Sequence, residues 1–217
     1  MRACALEPSG IILVDKPAGP SSFAIVAAVR RRTGARTGHA GTLDPFATGL
    51  LLLLSGAATK LQPRFVGLDK RYVTDIDVSA RTTTGDPDGG VVEEHEPQAR
   101  DVLEAALDEL RGVVELPIPV ASAVKIEGER AYRLHRRGVA VEMPLRRSRV
   151  HELRLERYED GIARLELLVS SGTYVRAIAD ELGGHCRSLR RTEVGPFSVA
   201  EADEERIISV DEALARL

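Results

Sequence analysis

The sequence is poor in the residues on which several protein classes depend. It has no tryptophan, four tyrosines, four phenylalanines and two cysteines in 217 residues. The cysteines, Cys4 and Cys186, lie far apart and form no C-x-x-C motif. Neither a disulfide framework nor a thiolate metal site is therefore indicated, and we expect a reducing, cytoplasmic setting.

Long apolar runs and a secretion signal are also missing. The leucine run at residues 50–54 is far too short to span a bilayer, and no basic segment followed by a long apolar one opens the chain. We expect a soluble protein with no membrane partner. The chain also lacks a G-x-x-x-x-G-K-[ST] loop, which argues against a metabolic phosphotransferase.

The overall charge does not indicate nucleic-acid binding, but the distribution of arginine does. The formal net charge is −3. Arginines nevertheless form four clusters, which are Arg30 to Arg32 with Arg36, Arg133 with Arg136 and Arg137, Arg146 and Arg147 with Arg149, and Arg187 with Arg190 and Arg191. Any one cluster is more typical of a solvated surface. Four of them, offset by acidic stretches elsewhere, indicate a phosphate-binding face.

The segment GHAGTLDPFATG, at residues 38–49, combines rigidity with reactive groups. Its three glycines and one proline predict a loop rather than a helix or strand. Pro45 restricts Asp44 to extended backbone, so the carboxylate is held on a stiff turn. An isolated Asp-Pro pair usually only starts a turn. Here His39 precedes the aspartate and an apolar run follows the loop, and both favour an active-site loop.

Short-range patterns predict several regular elements. Residues 10–14 read as a strand, followed by a turn that places Lys16 on a strand-exit loop, where it serves solubility or contacts RNA or the site. Ser21 or Ser22 caps a helix that Gly34 ends. The leucines at 50–54 are a buried strand or a short helix, which periodicity cannot separate.

Sequence patterns in the second half of the chain predict a hairpin followed by a helix. Alternating apolar residues on either side of Asp160-Gly161 predict two antiparallel strands ending near residue 169. A helix follows from Val175, with Arg176 pointing off its core face. Arg176 either forms a weak surface pair with Asp180 or is the partner of a reactive carboxylate.

Residues 116–144 form a long excursion of the kind that is functional or mobile.

A strand at residues 70–78 carries the tyrosine of greatest interest. Its alternation places Tyr72, Thr74, Ile76 and Val78 on one face. Tyr72 is either a simple core aromatic or, beside two cations in a chain with few aromatics, a stacking surface.

Together these segments resemble the TruB family of tRNA pseudouridine-55 synthases. The resemblance rests on five motifs that occur in order, namely KPAGPSS at residues 16–22, GHAGTLDPFATG at 38–49, DKRY at 69–72, SGTYVR at 171–176 and LRR at 189–191. Each motif alone is weak, but the combination is highly specific. It runs from about Gly10 to Phe197.

The resemblance implies a fold and a domain organisation. The expected fold is α+β, a pseudouridine synthase fold with a central, mostly antiparallel mixed sheet flanked by helices and crossed by an RNA-binding cleft. We expect residues 1–217 to form a single catalytic domain, with a core of about 10–197, the RNA-contacting excursion of about 116–144 and no C-terminal PUA domain. We expect a monomer.

The resemblance also implies an activity and its residues. A uridine in the T-loop of tRNA, at position 55, would be isomerised to pseudouridine without a metal or a nucleotide cofactor. Asp44 would be the catalytic aspartate, Tyr72 would stack on the target base, and Arg176 would pair with Asp44. The residues expected to contact the uridine or RNA, or to hold the vacated place of the base, also include His39, Tyr174, Leu189 and Lys16.

A non-catalytic RNA-binding or RNA-chaperone module is the main alternative. Such a module needs the basic clusters and the aromatics, but it does not need Asp44 together with Arg176. Loss of activity with retained binding on substitution of Asp44 would separate the two functions.

Overall fold

A computed structural model describes residues 9–217 and divides the chain into two compact units. The first unit comprises the chain up to Val73 together with Leu189–Leu217, and the second comprises Thr74–Ser188. Among the described residues, no helix is long and apolar enough to cross a membrane. Cys4 lies outside the described residues, whereas Cys186 is fully buried.

The chain alternates strands with short helices. The strands are β1 (Gly10–Lys16), β2 (Thr37–His39), β3 (Thr48–Ser55), β4 (Lys70–Asp77), β5 (Ala80–Thr82), β6 (Val91–Glu94), β7 (Gly112–Pro117), β8 (Lys125–Ile126), β9 (Glu129–Arg130), β10 (Leu145–Glu159), β11 (Ile162–Val169), β12 (His185–Val194), β13 (Phe197–Ser198) and β14 (Asp203–Ile208). The helices are α1 (Ser22–Thr33), α2 (Gln62–Val66), α3 (Arg100–Glu109), α4 (Ala131–Arg136), α5 (Val175–Glu181) and α6 (Val210–Ala215), with 3₁₀ helices at Gly56–Leu61 and Val199–Glu201.

The first unit is built around strand β3, whose leucines at 50–54 are all fully buried. Strands follow the order β14-β1-β3-β12, and β2 also pairs with β3. The β1 strand is antiparallel to both of its neighbours, whereas β12 runs parallel to β3. Of the two alternatives for the leucine run, the strand is confirmed. A continuous apolar sequence suits a strand that is covered on both faces.

Helix α1 begins and ends where its sequence predicts. The hydroxyl of Ser21 accepts a hydrogen bond from the Ala24 amide, and Gly34 ends the helix with a left-handed φ of 70°. Ser22, Val26 and Val29 form the buried face. This face directs the Ser22 side chain inward.

The second unit contains the strand order β4-β11-β10-β7 and two separate two-stranded sheets, β5-β6 and β8-β9. Asp160 and Gly161 join β10 to β11 with φ values of 48° and 74°, as a two-residue hairpin turn requires. The expected hairpin is confirmed. The excursion at residues 116–144 contains β8, β9 and α4, so it has secondary structure of its own.

The expectation of an irregular segment across residues 38–49 is wrong at both ends. Gly38 and His39 belong to β2, and Thr48 and Gly49 begin β3. The glycines do not prevent strand pairing here because β2 is short and Gly49, with a φ of 98°, is only the second residue of β3. The α+β class, with mixed and mostly antiparallel pairing flanked by helices, is confirmed.

Candidate active site

Asp44 lies on a loop between β2 and β3 that we call the aspartate loop, residues 40–47. Both ends of the loop, Ala40 and Ala47, are fully buried, whereas Asp44 itself is partly exposed. The Ala40 amide donates to the Leu52 carbonyl, and the Ala47 amide donates to the Asp44 carbonyl at 3.2 Å. The loop is thus anchored to β3 at its start and closed by a turn around Asp44 at its end.

Helix α1 holds Leu43, the residue before Asp44, through hydrogen bonds. The Ser22 hydroxyl donates to the Leu43 carbonyl at 2.7 Å, and the Leu43 amide donates to the same hydroxyl oxygen at 2.8 Å. On the far side of Asp44, the Gly19 amide donates to the Pro45 carbonyl at 2.8 Å. Asp44 is therefore bracketed by residues whose backbone positions are fixed.

Lys16 also binds the aspartate loop through hydrogen bonds. The side chain is fully buried, and its ammonium donates to the carbonyls of Pro17, Pro45 and Ala47 at 2.9, 3.1 and 2.6 Å. Burial lowers the pKa of Lys16, while the charge of Asp44 acts in the opposite direction. The strand-exit loop predicted for Lys16 is wrong, because Lys16 is the last residue of β1. Of the two alternative roles, solubility is wrong, because the charge is buried and bonded to carbonyls, and contact with RNA or the site stays a prediction.

Two further cations lie under the aspartate loop. Arg191, expected in a surface cluster, is only 1% exposed, so this expectation is wrong. Lys70 is also buried and donates to the carbonyls of Val66 and Leu68. Burial lowers the pKa of Lys70 to about 8, and the charge of Arg191 contributes to the lowering. The first unit therefore concentrates positive charge behind the loop that carries Asp44.

His39 ends β2 immediately before the aspartate loop. Its carbonyl accepts a hydrogen bond from the Gln62 side chain at 2.8 Å, which fixes the backbone. Its Nδ1 atom is buried without a hydrogen-bond partner among the described residues. Burial, followed by the charge of Arg191, lowers the pKa of His39, so the imidazole is neutral at pH 7. A neutral ring with an unpaired nitrogen is suited to contact a base.

Tyr72 and Leu189 are the remaining candidates in the first unit. Both side chains are buried at 7% exposure, Tyr72 on β4 and Leu189 on β12. The predicted inward-facing set of β4 is confirmed, since Thr74, Ile76 and Val78 are buried with Tyr72. Stacking of Tyr72 on a base, and the contact expected of Leu189, stay predictions.

In the second unit, Arg176 is a buried residue rather than a surface one. It lies in the first turn of α5, is 2% exposed and donates to the carbonyls of Thr84 and Ala121 at 2.8 and 3.0 Å. The expected outward direction of Arg176 is wrong, as is the surface pair with Asp180. Asp180 instead forms an ion pair with Arg81 at 2.9 Å.

Asp86 is a buried partner of Arg176 that the sequence reasoning missed. Its carboxylate lies 3.5 Å from the Arg176 guanidinium and accepts hydrogen bonds from the Thr84 hydroxyl at 2.5 Å and the Asp88 amide at 3.2 Å. Asp86 lies in the turn sequence TTTGDPDGG at residues 82–90. An aspartate in such a turn usually bonds only its own backbone, and nothing local indicates that it also faces an arginine.

Tyr174 immediately precedes α5 and lines a small surface pocket. The other lining residues are Leu116, Pro117, Arg146, Ser148, Thr173 and Ala177. The lining combines apolar side chains with one guanidinium and three hydroxyl groups.

Comparison with known proteins identifies the family. The model of the TruB family pseudouridylate synthase N-terminal domain matches residues 30–175, which is more than half of the chain. The chain belongs to the TruB family. The family expected from the five sequence motifs is confirmed, and so is the enzyme class, a pseudouridylate synthase.

Two curated relatives of this TruB chain share one name. The tRNA pseudouridine synthase B of Leifsonia xyli subsp. xyli is 45% identical over 212 residues, which cover 90% of this chain and 70% of that one. The tRNA pseudouridine synthase B of Thermobifida fusca is 40% identical over 210 residues, which cover 89% of this chain and 72% of that one.

Solved structures support the TruB fold at lower sequence identity. The crystal structure of a Cbf5-Nop10-Gar1 complex matches 95% of this chain and 54% of the compared chain, with a TM-score of 0.69 and 24% identity. This likeness bears on the fold alone, and it agrees with the pseudouridine synthase fold expected from the motifs.

Within this TruB chain, the candidate residues fall in both compact units. The first unit contains Asp44 with Lys16, His39, Tyr72 and Leu189, and the second contains Tyr174 and Arg176. Lys16 and the Asp44 loop are in direct contact. The ion pair between Asp44 and Arg176 stays a prediction.

Proposed function

We propose that this TruB protein converts a uridine in the T-loop of tRNA, at position 55, into pseudouridine, and that Asp44 is the catalytic residue. The curated relatives named tRNA pseudouridine synthase B support the substrate. The observation that carries the assignment of Asp44 is the fixed backbone around it, held by Ser22, Gly19 and Lys16. A positioned carboxylate on a rigid loop is what a covalent or electrostatic catalyst requires.

The reaction is an isomerisation and needs no external oxidant or energy source. The bond from N1 of uracil to C1′ of ribose breaks, the base turns, and C5 bonds to C1′. C5 loses one proton and N1 gains one, so atoms and electrons balance. A carboxylate can contribute by attacking C1′, as in retaining glycosidases, by attacking C6, or by removing a proton from C2′.

All three routes require Asp44 to be ionised. The buried ammonium of Lys16 lies close enough for its charge to interact with the Asp44 carboxylate. A nearby cation favours the charged form of a carboxylate. We assign Lys16 to this role and to support of the loop, because its ammonium is buried and already bonded to three carbonyls. Arg176 is proposed as a second cationic partner.

The target base must leave the folded T-loop before it can react. Extrusion costs a few kcal/mol of unstacking, which contacts with an aromatic ring recover in part. We assign Tyr72 to stacking on the base, and His39, Tyr174 and Leu189 to contacts with it or with its vacated place. Exposed arginines, such as Arg147 and Arg149 on β10, would bind the phosphates of the T-arm.

Substitution of Asp44 by asparagine tests the proposal. Asp44→Asn keeps the size of the side chain but removes its charge and its nucleophile, so pseudouridine formation should fall to the background of the assay. Binding of tRNA should survive, because removal of a carboxylate that faces a polyanion lessens repulsion. The measurement is single-turnover pseudouridine formation on an unmodified tRNA transcript, without added metal or nucleotide, together with filter binding.

Asp211→Asn is a matched control, since Asp211 is an exposed aspartate in the first turn of α6. This control should turn over like the wild type. Full turnover by Asp44→Asn would exclude Asp44 as the catalytic residue. Tight tRNA binding by a wild-type protein that forms no pseudouridine would instead favour the RNA-binding module.

A further inference from the structure

Arg191 lies directly behind the aspartate loop and is bonded to it. It is on β12, which runs parallel to β3 and places Arg191 opposite Gly49. The guanidinium donates three hydrogen bonds, from Nε to the Leu50 carbonyl at 2.7 Å, and from its two terminal nitrogens to the carbonyls of Gly41 and Thr42 at 3.1 and 3.4 Å. One side chain thus ties the start of β3 to the loop that precedes it.

The backbone around Arg191 is shaped to allow this approach. Gly49 has a φ of 98°, and a Cβ atom there would lie 2.2 Å from the Arg191 carbonyl oxygen. Gly41 has a φ of 107°, and a Cβ atom there would meet the Arg191 guanidinium at 3.6 Å. Both positive φ values favour glycine. The two glycines of the loop motif therefore place its carbonyls within reach of one buried cation.

A buried guanidinium has to be satisfied by fixed acceptors, because an unpaired buried charge is costly. The planar fork of arginine presents its donors on three nitrogens of one rigid group, whereas a lysine ammonium carries all its donors on one atom. Burial lowers the pKa of His39, Lys16 and Lys70, which all lie around the loop, and the charge of Arg191 adds to the lowering in each case.

Contact with RNA phosphate is the competing role, since Arg191 belongs by sequence to a cluster with Arg187 and Arg190. The three arginines differ in exposure and in their partners. Arg187 is exposed, Arg190 forms a partly exposed ion pair with Asp15 at 2.7 Å, and Arg191 is 1% exposed with carbonyl partners. A side chain in this state has little surface to offer a phosphate.

We propose that Arg191 is a positioning residue that holds the aspartate loop, and with it Asp44, in its reactive geometry. This inference rests on the proposed function, in which Asp44 acts on the uridine. The misplacement of a reacting group by about 1 Å can reduce a rate by roughly 100-fold. Arg191 therefore acts on the chemical step through the loop and not on RNA affinity.

Arg191→Lys keeps the charge and removes the fork. We expect the single-turnover rate at saturating enzyme to fall by roughly 10- to 100-fold, with the Kd for tRNA within about twofold of the wild type. Arg206→Lys, on the exposed strand β14, is the control and should change neither quantity. An unchanged rate in Arg191→Lys, or a weakened Kd with an unchanged saturating rate, would overturn the proposal.

Amide hydrogen exchange of residues 40–47, measured without RNA, tests the same contact independently of activity. Faster exchange confined to this loop in Arg191→Lys supports the proposal, and unchanged exchange refutes it. If the wild type forms no pseudouridine while the loop responds in this way, the proposed function fails and the positioning of the loop by Arg191 is retained.

A measurement on the wild type covers the case in which Arg191→Lys does not fold. Phenylglyoxal modifies accessible arginines, and the modified sites can be mapped by mass spectrometry with and without tRNA. We expect Arg191 to stay unmodified in both samples. Modification of Arg191 that tRNA prevents would identify a phosphate contact and overturn the proposal.

Discussion

In the second unit, the burial of Arg176 and Asp86 is stabilised by the ion pair between them. Both side chains are buried, at 2% and 7% exposure, and the arginine is also bonded to two carbonyls. A buried pair contributes little relative to apolar residues, because both charges lose their hydration. Removal of one partner is a different case, since the other charge stays buried with less compensation than before.

Asp86→Asn should therefore destabilise the protein by about 3 kcal/mol, as expected when a buried ion pair loses one charge. Urea unfolding measures the loss. Asp180→Asn is the matched control, because Asp180 also pairs with an arginine but its side chain is 56% exposed. The control should cost less than about 1 kcal/mol. Equal stabilities of the two variants would contradict the structural importance given to Asp86.

At the scale of the element, helix α1 has two adjacent serines with separate tasks. Ser21 caps the helix by accepting a hydrogen bond from the Ala24 amide. Ser22 faces inward and bonds both backbone groups of Leu43, next to the catalytic candidate. The pair therefore allows helix stability and loop position to be tested separately.

Ser22→Ala leaves the Leu43 amide and carbonyl without their buried partner, so we expect a loss of about 2 kcal/mol and a roughly tenfold slower single-turnover rate. Ser21→Ala should cost about 1 kcal/mol through the lost cap, with the rate unchanged. Thermal unfolding and pseudouridine formation under single-turnover conditions measure the two effects. Equal rates in the two variants would show that Ser22 does not position the loop.

Local patterns in the sequence were sufficient for most of the elements. The cap of α1, its end at Gly34 and the turn at Asp160-Gly161 depend on residues next to one another, and each was predicted correctly. The alternation in β4 likewise gave the correct buried face. The strand β2 was missed because its pairing with β3 depends on residues more than ten positions away, while its own glycine argues against a strand.

The candidate site was predictable in its residue types but not in its burial. Charged residues are rarely fully buried, so sequence reasoning placed Lys16, Arg176 and Arg191 at or near the surface. Their burial depends on carbonyl acceptors that are distant in sequence, 31 residues away for Lys16 and Ala47, and 150 for Arg191 and Gly41. No local pattern records such partners.

At the scale of the whole molecule, the arginine clusters contribute fewer phosphate ligands than their number indicates. Arg32 pairs with Glu204 and Glu205, and Arg137 pairs with Glu129. Arg191 is buried. The exposed arginines Arg147 and Arg149 lie two residues apart on β10 and so share one face of the strand. This face is the clearest phosphate-binding candidate on a chain with a net charge of −3.

We expect tRNA affinity to fall steeply with salt, and the double variant Arg147→Gln with Arg149→Gln should reduce the slope of log K against log salt by roughly 1.5. Each lost phosphate contact releases one fewer set of counterions, which accounts for about 0.7 to 0.9 of the slope. Filter binding across a salt series measures the slope. Arg154→Gln with Arg157→Gln, on the same strand but outside the clusters, is the control. If both double variants keep the wild-type slope, the phosphates are bound by another part of the surface, because neutral glutamine cannot replace an ionic contact at any salt concentration.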